Sequence, residues 1–92
     1  MIQSFRHKGL QRLFENDDGR KLPPEMVVRI ARILHMIEEA ENVGELNSPS
    51  LRLHSLKGAL NGHWAVTVKA NWRIVFRFAN GSAFDVDFLD YH

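Results

Sequence analysis

Three stretches in the second half of the chain alternate apolar and polar residues with a period of two. "HWAVTVK" sets Trp64, Val66 and Val68 against His63, Ala65, Thr67 and Lys69. "NWRIVFRF" sets Trp72, Ile74, Phe76 and Phe78 against Arg73, Val75 and Arg77, and "AFDVDFL" sets Phe84, Val86 and Phe88 against Asp85 and Asp87. This is the pattern of half-buried strands in an antiparallel sheet. The first half of the chain has a different period. In "PPEMVVRIARILHMIEEAEN", Val27, Ile30, Leu34 and Ile37 recur at helical spacing, a proline opens the first turn, and Asn42 with Gly44 marks the end. "HKGLQRLFEN" predicts a shorter amphipathic helix with Leu10, Leu13 and Phe14 on one face. "MIQSF" and "SLRLHSL" predict short strands, the latter with Leu51 and Leu53 on one face, while "DDGRKL" reads as a polar turn and "KGALNGH" as a loop.

These elements predict one α+β domain over residues 1–92, with two N-terminal helices packed on one face of a mostly antiparallel sheet. The other face is expected to be polar and to carry arginines. The "ANGS" turn tests the register. A two-residue Asn80-Gly81 loop puts Phe76 opposite Asp85, which sets apolar side chains against acids. A three-residue loop, Ala79 to Gly81, pairs Phe76 with Phe84, Ile74 with Val86 and Trp72 with Phe88, and is the register predicted. Arg73 then lies opposite Asp87, a candidate cross-strand ion pair.

Composition narrows the class. The chain is 45% hydrophobic and 25% charged, and it has no cysteine, hence no disulfide or thiolate chemistry. The opening "MIQSFRHKGL" lacks the apolar core of a signal peptide, and no run has the length of a membrane span, so a cytoplasmic protein is expected. Net charge is +1, which alone predicts no nucleic-acid partner. The acids concentrate in residues 1–50, including Glu38, Glu39 and Glu41 near the negative end of the long helix, where a solvated end or a basic partner is expected. Arg29 and Arg32 read as a solvated helix face, and His7 and His35 carry no sign of a site. His63, beside Trp64, reads as a solvent-facing strand residue.

The basic groups of the second half are Arg52, Lys57, Lys69, Arg73 and Arg77, joined by His54, His63 and His92. Arg73 on a concave open face could meet Lys57 and the tail at Tyr91 and His92. Arginine is a fork for phosphate, lysine a point charge and histidine a proton carrier near neutral pH. Such a set could bind and cleave an RNA phosphodiester, because RNA supplies its own 2′-OH nucleophile and the protein need add only a base, an acid and a cation clamp. No metal or other cofactor is called for. The plainer reading is a small α+β domain whose arginines are structural.

The segments "MIQSFRHKGLQRLF", "LHSLKG", "VKANWRIVFRF" and the terminal "DYH" together resemble the HigB toxins, the plasmid-killer branch of the RelE/ParE superfamily. The resemblance runs from Met1 to His92. It implies the compact RelE-like microbial ribonuclease fold and a toxin that cuts messenger RNA in the decoding site of the 70S ribosome. It also implies neutralisation by a HigA-type helix-turn-helix antitoxin, with operator DNA bound only through the toxin–antitoxin complex. The family's site positions fall on His54, Lys57, Arg73, Asp90, Tyr91 and His92. In that reading His54 or Asp90 accepts the 2′-OH proton and His92 protonates the leaving 5′ oxygen. Lys57 and Arg73 hold the phosphate, and Tyr91 orients the nucleotide. The α-carboxylate expected on His92 favours its imidazolium form. The rival readings are a gyrase poison of the ParE type and a non-catalytic RNA- or antitoxin-binding module.

Overall fold

The computed structural model describes residues 1–91; the expected site residue His92 lies outside them. Two helices precede four strands. Helix α1 spans Lys8–Asn16, and the ring of His7 caps it, its Nδ1 accepting the Leu10 N–H at 3.2 Å. Leu10 and Leu13 are buried and Phe14 half-buried, as the amphipathic pattern requires. A 3₁₀ turn at Pro24–Met26 leads into α2, Val27–Glu39. Its buried stripe is Ile30, Ile33, Leu34 and Ile37, with Val27 only half-buried. The helix stops at Glu39, earlier than Asn42 and Gly44 predicted, because Ala40 turns extended and residues 43–46 form a separate 3₁₀ turn. Glu38 is not a loose charge: its carboxylate accepts the Ile2 N–H at 2.8 Å.

The strands are β1 (His54–Ser55), β2 (His63–Lys69), β3 (Trp72–Ala79) and β4 (Ser82–Asp90), antiparallel in the order β1-β2-β3-β4. The segment "MIQSF" forms two isolated parallel bridges along β4, Ile2 to Ala83 and Phe5 to Val86, and so covers that edge. The predicted strand over "SLRLHSL" shrinks to two residues because Arg52 takes a left-handed conformation, φ 50°. The Leu51 carbonyl still accepts the Thr67 N–H at 2.7 Å, so the broken segment keeps to β2.

The predicted β3–β4 register is wrong. Ala79 pairs with Ser82 and Phe78 with Ala83, so the loop is Asn80-Gly81, both left-handed as the tight hairpin turn requires. The clash between acids and apolar residues is removed by a bulge: Arg77 pairs with Phe84 but Val75 with Asp87. The extra residue falls around Asp85, which has φ 55°. Its N–H donates to the Ser4 hydroxyl at 2.8 Å, and the Val86 N–H donates to the Ser4 carbonyl at 3.1 Å, so the N-terminal segment supplies partners that the ladder lost. Past the bulge Val86 and Phe88 return to the core, and Phe84 is left on the outer face. Trp72 faces Asp90 rather than Phe88, yet its ring stacks diagonally on Phe88 at 4.7 Å. The expected Arg73–Asp87 pair does not form; Arg73 is opposite Leu89, and the ion pair on this hairpin joins Arg77 to Asp85.

The main core lies between the helices and one face of the sheet, built on Ile30, Leu34, Ile37, Val66, Ile74 and Phe76. The outer face is not wholly polar as expected: Leu56, Ala65 and Val75 are buried there, with Leu60 and Leu89 packed beside them. Arg29 is not solvated either. Its guanidinium donates to the carbonyls of Val68 (2.6 Å), Ser50 (2.9 Å) and Thr67 (3.1 Å), tying α2 to the end of β2.

Candidate functional site

Side chains directly opposite each other on paired strands share a face. Register therefore places His54, Ala65, Val75 and Asp87 in one row of the outer face, and Thr67, Arg73 and Leu89 in the next. With strands about 4.8 Å apart and rows about 6.6 Å apart, His54 and Arg73 are roughly 12 Å from one another across the sheet. Ala65 and Val75 form an apolar floor between them, and Leu56 extends it on the far side of His54, in the row of His63 and Arg77. A phosphodiester and its two flanking sugars span a gap of this order.

Each group is held by its local backbone. His54 is exposed, and its Nδ1 lies 2.9 Å from the Arg52 carbonyl. A carbonyl can only accept, so Nδ1 carries the proton; in the neutral ring Nε2 then holds the free lone pair. The left-handed Arg52 is what turns that carbonyl toward the ring. Arg73 folds over the β2–β3 turn, its Nη1 donating to the carbonyls of Ala70 (2.6 Å) and Trp72 (3.2 Å). The same turn holds the tail, because the Tyr91 N–H donates to the Asn71 carbonyl at 2.7 Å. Tyr91 is 41% exposed and follows directly on the end of β4, tethered by that bond to the turn over which Arg73 folds.

The structure thus gathers Arg73 and Tyr91 at one end of the outer face, with His54 across the apolar floor. Asp90 stands apart: it pairs with Trp72, and strand alternation sets it toward the helix side of the sheet tip. Lys57 is exposed beyond Leu56, where the chain enters a 3₁₀ turn at Gly58–Leu60 that folds Leu60 against the apolar floor. His63 is half-buried rather than solvent-facing, opposite Arg77. Sequence reading named Arg52 only as one of the basic groups and missed its carbonyl, which sets the His54 tautomer; no residue-type signal marks a left-handed arginine.

The opposite end of β3 is differently built. Arg77 Nε donates to Asp85 at 2.9 Å, and its guanidinium lies 5.2 Å from the centre of the Phe84 ring. The hydrogen bond from Arg77 is the main cause holding the Asp85 carboxyl below its ordinary pKa, helped by the charges of Arg77 and Arg6 and opposed by partial burial. A cleft of about 430 Å³ lies between the end of α1 and α2, lined by Leu13, Phe14, Ala31, Leu34 and His35 among others. The sheet separates it from His54 and Arg73. Among the described residues no cluster of His, Asp or Glu could hold a metal ion, and no helix is long and apolar enough to cross a membrane.

Comparison with known proteins adds four findings. Residues 3–92 match the family of HigB-like toxins, described as the RelE-like toxin of the type II toxin–antitoxin system HigB. The chain is 48% identical over its full length, and over the full length of that protein, to the endoribonuclease HigB of Proteus vulgaris. It is 28% identical to toxin HigB-1 of Vibrio cholerae, covering all of this chain and 98% of that one. In three dimensions it is similar to a chain of the YoeB–YefM complex from Staphylococcus aureus, with a TM-score of 0.58, 19% identity, and coverage of 100% of this chain and 95% of that chain. At that identity the likeness speaks to fold alone.

Proposed function

Because the chain belongs to the HigB-like toxins, the RelE-like toxins of type II toxin–antitoxin systems, we propose that it is an endoribonuclease that cuts messenger RNA on the ribosome, with the outer face of the sheet as its active site. The name of its Proteus vulgaris relative supports the activity. The observation that carries the assignment of roles is the His54 tautomer. Nδ1–H donates to Arg52, so Nε2 is free to take a proton. His54 Nε2 removes the proton of a ribose 2′-OH, and that oxygen attacks the adjacent phosphorus. The P–O5′ bond breaks, and His92 returns a proton to the leaving 5′ oxygen. The products are a 2′,3′-cyclic phosphate and a 5′-OH. Arg73 and Lys57 carry the charge that builds on the phosphoryl oxygens. Tyr91, exposed beside Arg73, stacks on or hydrogen-bonds the nucleotide. Asp90, on the helix side of the tip, supports the tail rather than acting as the base.

A type II toxin implies an antitoxin partner. We take that partner to be a HigA-type helix-turn-helix protein, with operator DNA bound through the complex. Net charge +1 gives the chain little affinity of its own for a phosphate backbone, so the ribosome supplies the positioning. The test is induction of the chain in bacteria, with messenger 5′ ends mapped in the presence and absence of ribosome-stalling conditions. New internal 5′-OH ends in translated messages are expected. Growth arrest with broken DNA and intact messages would overturn the reading in favour of a gyrase poison.

A further inference from the structure

Three side-chain polar atoms among the described residues are shielded from solvent and have no hydrogen-bond partner: His63 Nδ1, Thr67 Oγ1 and Arg73 Nε. All three belong to the outer face of β2 and β3. Two of them are neighbours. Thr67 and Arg73 are direct cross-strand partners, so their Cβ atoms lie about 5 Å apart on the same face. One atom is an N–H donor and the other a hydroxyl oxygen that accepts. A shielded donor and a shielded acceptor left side by side are an uncommon arrangement in a native protein, and it calls for an explanation.

We propose that Thr67 is a positioning residue for Arg73, accepting the Arg73 Nε–H when RNA is bound and so aiming the guanidinium at the scissile phosphate. This rests on the endonuclease reading above. The guanidinium has five N–H donors in a fixed plane. Nη1 is committed to the carbonyls of Ala70 and Trp72 at the β2–β3 turn. If Thr67 holds Nε, two edges of the plane are fixed and Nη2 is the group presented to an anionic oxygen. Strand pairing already brings the two residues together, so the Nε–Oγ1 bond can close by side-chain rotation alone. With a phosphate on Nη2, the orientation that serves the phosphate also satisfies Thr67. The threonine methyl keeps the strand-forming, branched side chain, so the hydroxyl is the atom to be tested.

The experiment compares wild type, Thr67→Val, Thr67→Ser and Arg73→Ala in single-turnover cleavage of a messenger on programmed ribosomes, alongside thermal unfolding of each free toxin. Valine keeps the shape and branching and removes only the hydroxyl. Thr67→Val is expected to slow the cleavage step about ten- to 150-fold, the range of one hydrogen bond to a charged group. The ribosome concentration for half-maximal rate and the melting temperature should hold steady. Thr67→Ser should restore most of the rate. A Thr67→Val variant that cleaves like wild type while Arg73→Ala is inactive overturns the inference and leaves the endonuclease reading standing. A rate loss that tracks a fall in melting temperature, or that serine does not rescue, also overturns it, by making Thr67 a packing residue. Wild-type cleavage by Arg73→Ala overturns both this inference and the clamp it serves.

Discussion

Arg73 and Arg77 sit four residues apart on the same face of the same strand, and they are employed in opposite ways. Arg77 is answered by side chains: Asp85 accepts from its Nε, and the Phe84 ring lies beneath its guanidinium. Its charge is neutralised, and its partners are the residues of the β4 bulge. Arg73 is answered by backbone: Nη1 meets two carbonyls of a turn, and Nε meets no partner among the described residues. Carbonyls orient a guanidinium without cancelling its charge. The first arrangement secures a fold, and the second leaves a directed positive charge beside an exposed tyrosine and across an apolar floor from a histidine. Residue type and strand face do not distinguish the two; the partner's chemistry does.

The sharpest way to break this comparison is to remove each arginine in turn. Arg73→Ala should reduce ribosome-dependent cleavage about 10²–10³-fold, the usual cost of removing one donor to transition-state charge. Its melting temperature should be nearly unchanged, because the hydrogen bonds it gives up are to carbonyls of a surface turn. Cleavage assays paired with thermal scans decide this. Arg77→Ala should do the reverse, cleaving at close to the wild-type rate with a modest loss of stability.

A third arginine sharpens the point. Arg29 also bonds only carbonyls, but three of them on two separate segments. Arg29→Ala leaves the ends of β2 and of the 48–52 segment without their donor, and about 1–3 kcal/mol of stability should be lost in denaturant titration. Arg29→Lys should recover only part of it, since an ammonium lacks the planar fork.

Much of this layout was legible in the sequence. The alternating stretches gave β2, β3 and β4 nearly to the residue, because a half-buried strand leaves an unambiguous period. That alternation also put Arg73 on the outer face. The register was not legible, since it turns on a bulge at Asp85, a left-handed residue that is neither glycine nor asparagine and is held there by Ser4, more than eighty residues away in the chain. Pairing Arg73 with Asp87 followed from that error. Arg29 misled for a related reason: a polar residue on a helix reads as solvated until the tertiary fold brings carbonyls to it. His54 was named by family resemblance, but the carbonyl that fixes its tautomer comes from a backbone strain at Arg52 with no compositional mark.

The smallest expected effect is on pH dependence. Hydrogen bonding to Arg77 lowers the Asp85 pKa in the folded state below its unfolded value. The contribution is therefore fully present above the ordinary aspartate pKa, and it fades as pH falls through the lower, folded value. Asp85 is partly exposed, so the screened pair is worth no more than about 1 kcal/mol. The wild type should lose its advantage over Asp85→Asn as unfolding is measured from pH 6 down into this acidic range. An advantage that persisted unchanged at the acid end would show that the bulge, not the charge, carries it.

The account stands most directly on His54 as the base of an RNA-cleaving face. Its test is single-turnover cleavage of a messenger on programmed ribosomes by wild type and His54→Ala, with the chemistry of the fragment ends determined. The wild type should leave a 2′,3′-cyclic phosphate and a 5′-OH, and His54→Ala should be slower by about 10²–10⁴-fold with its melting temperature unchanged. Fragments bearing 5′-phosphates, or cleavage by His54→Ala at the wild-type rate, would contradict it.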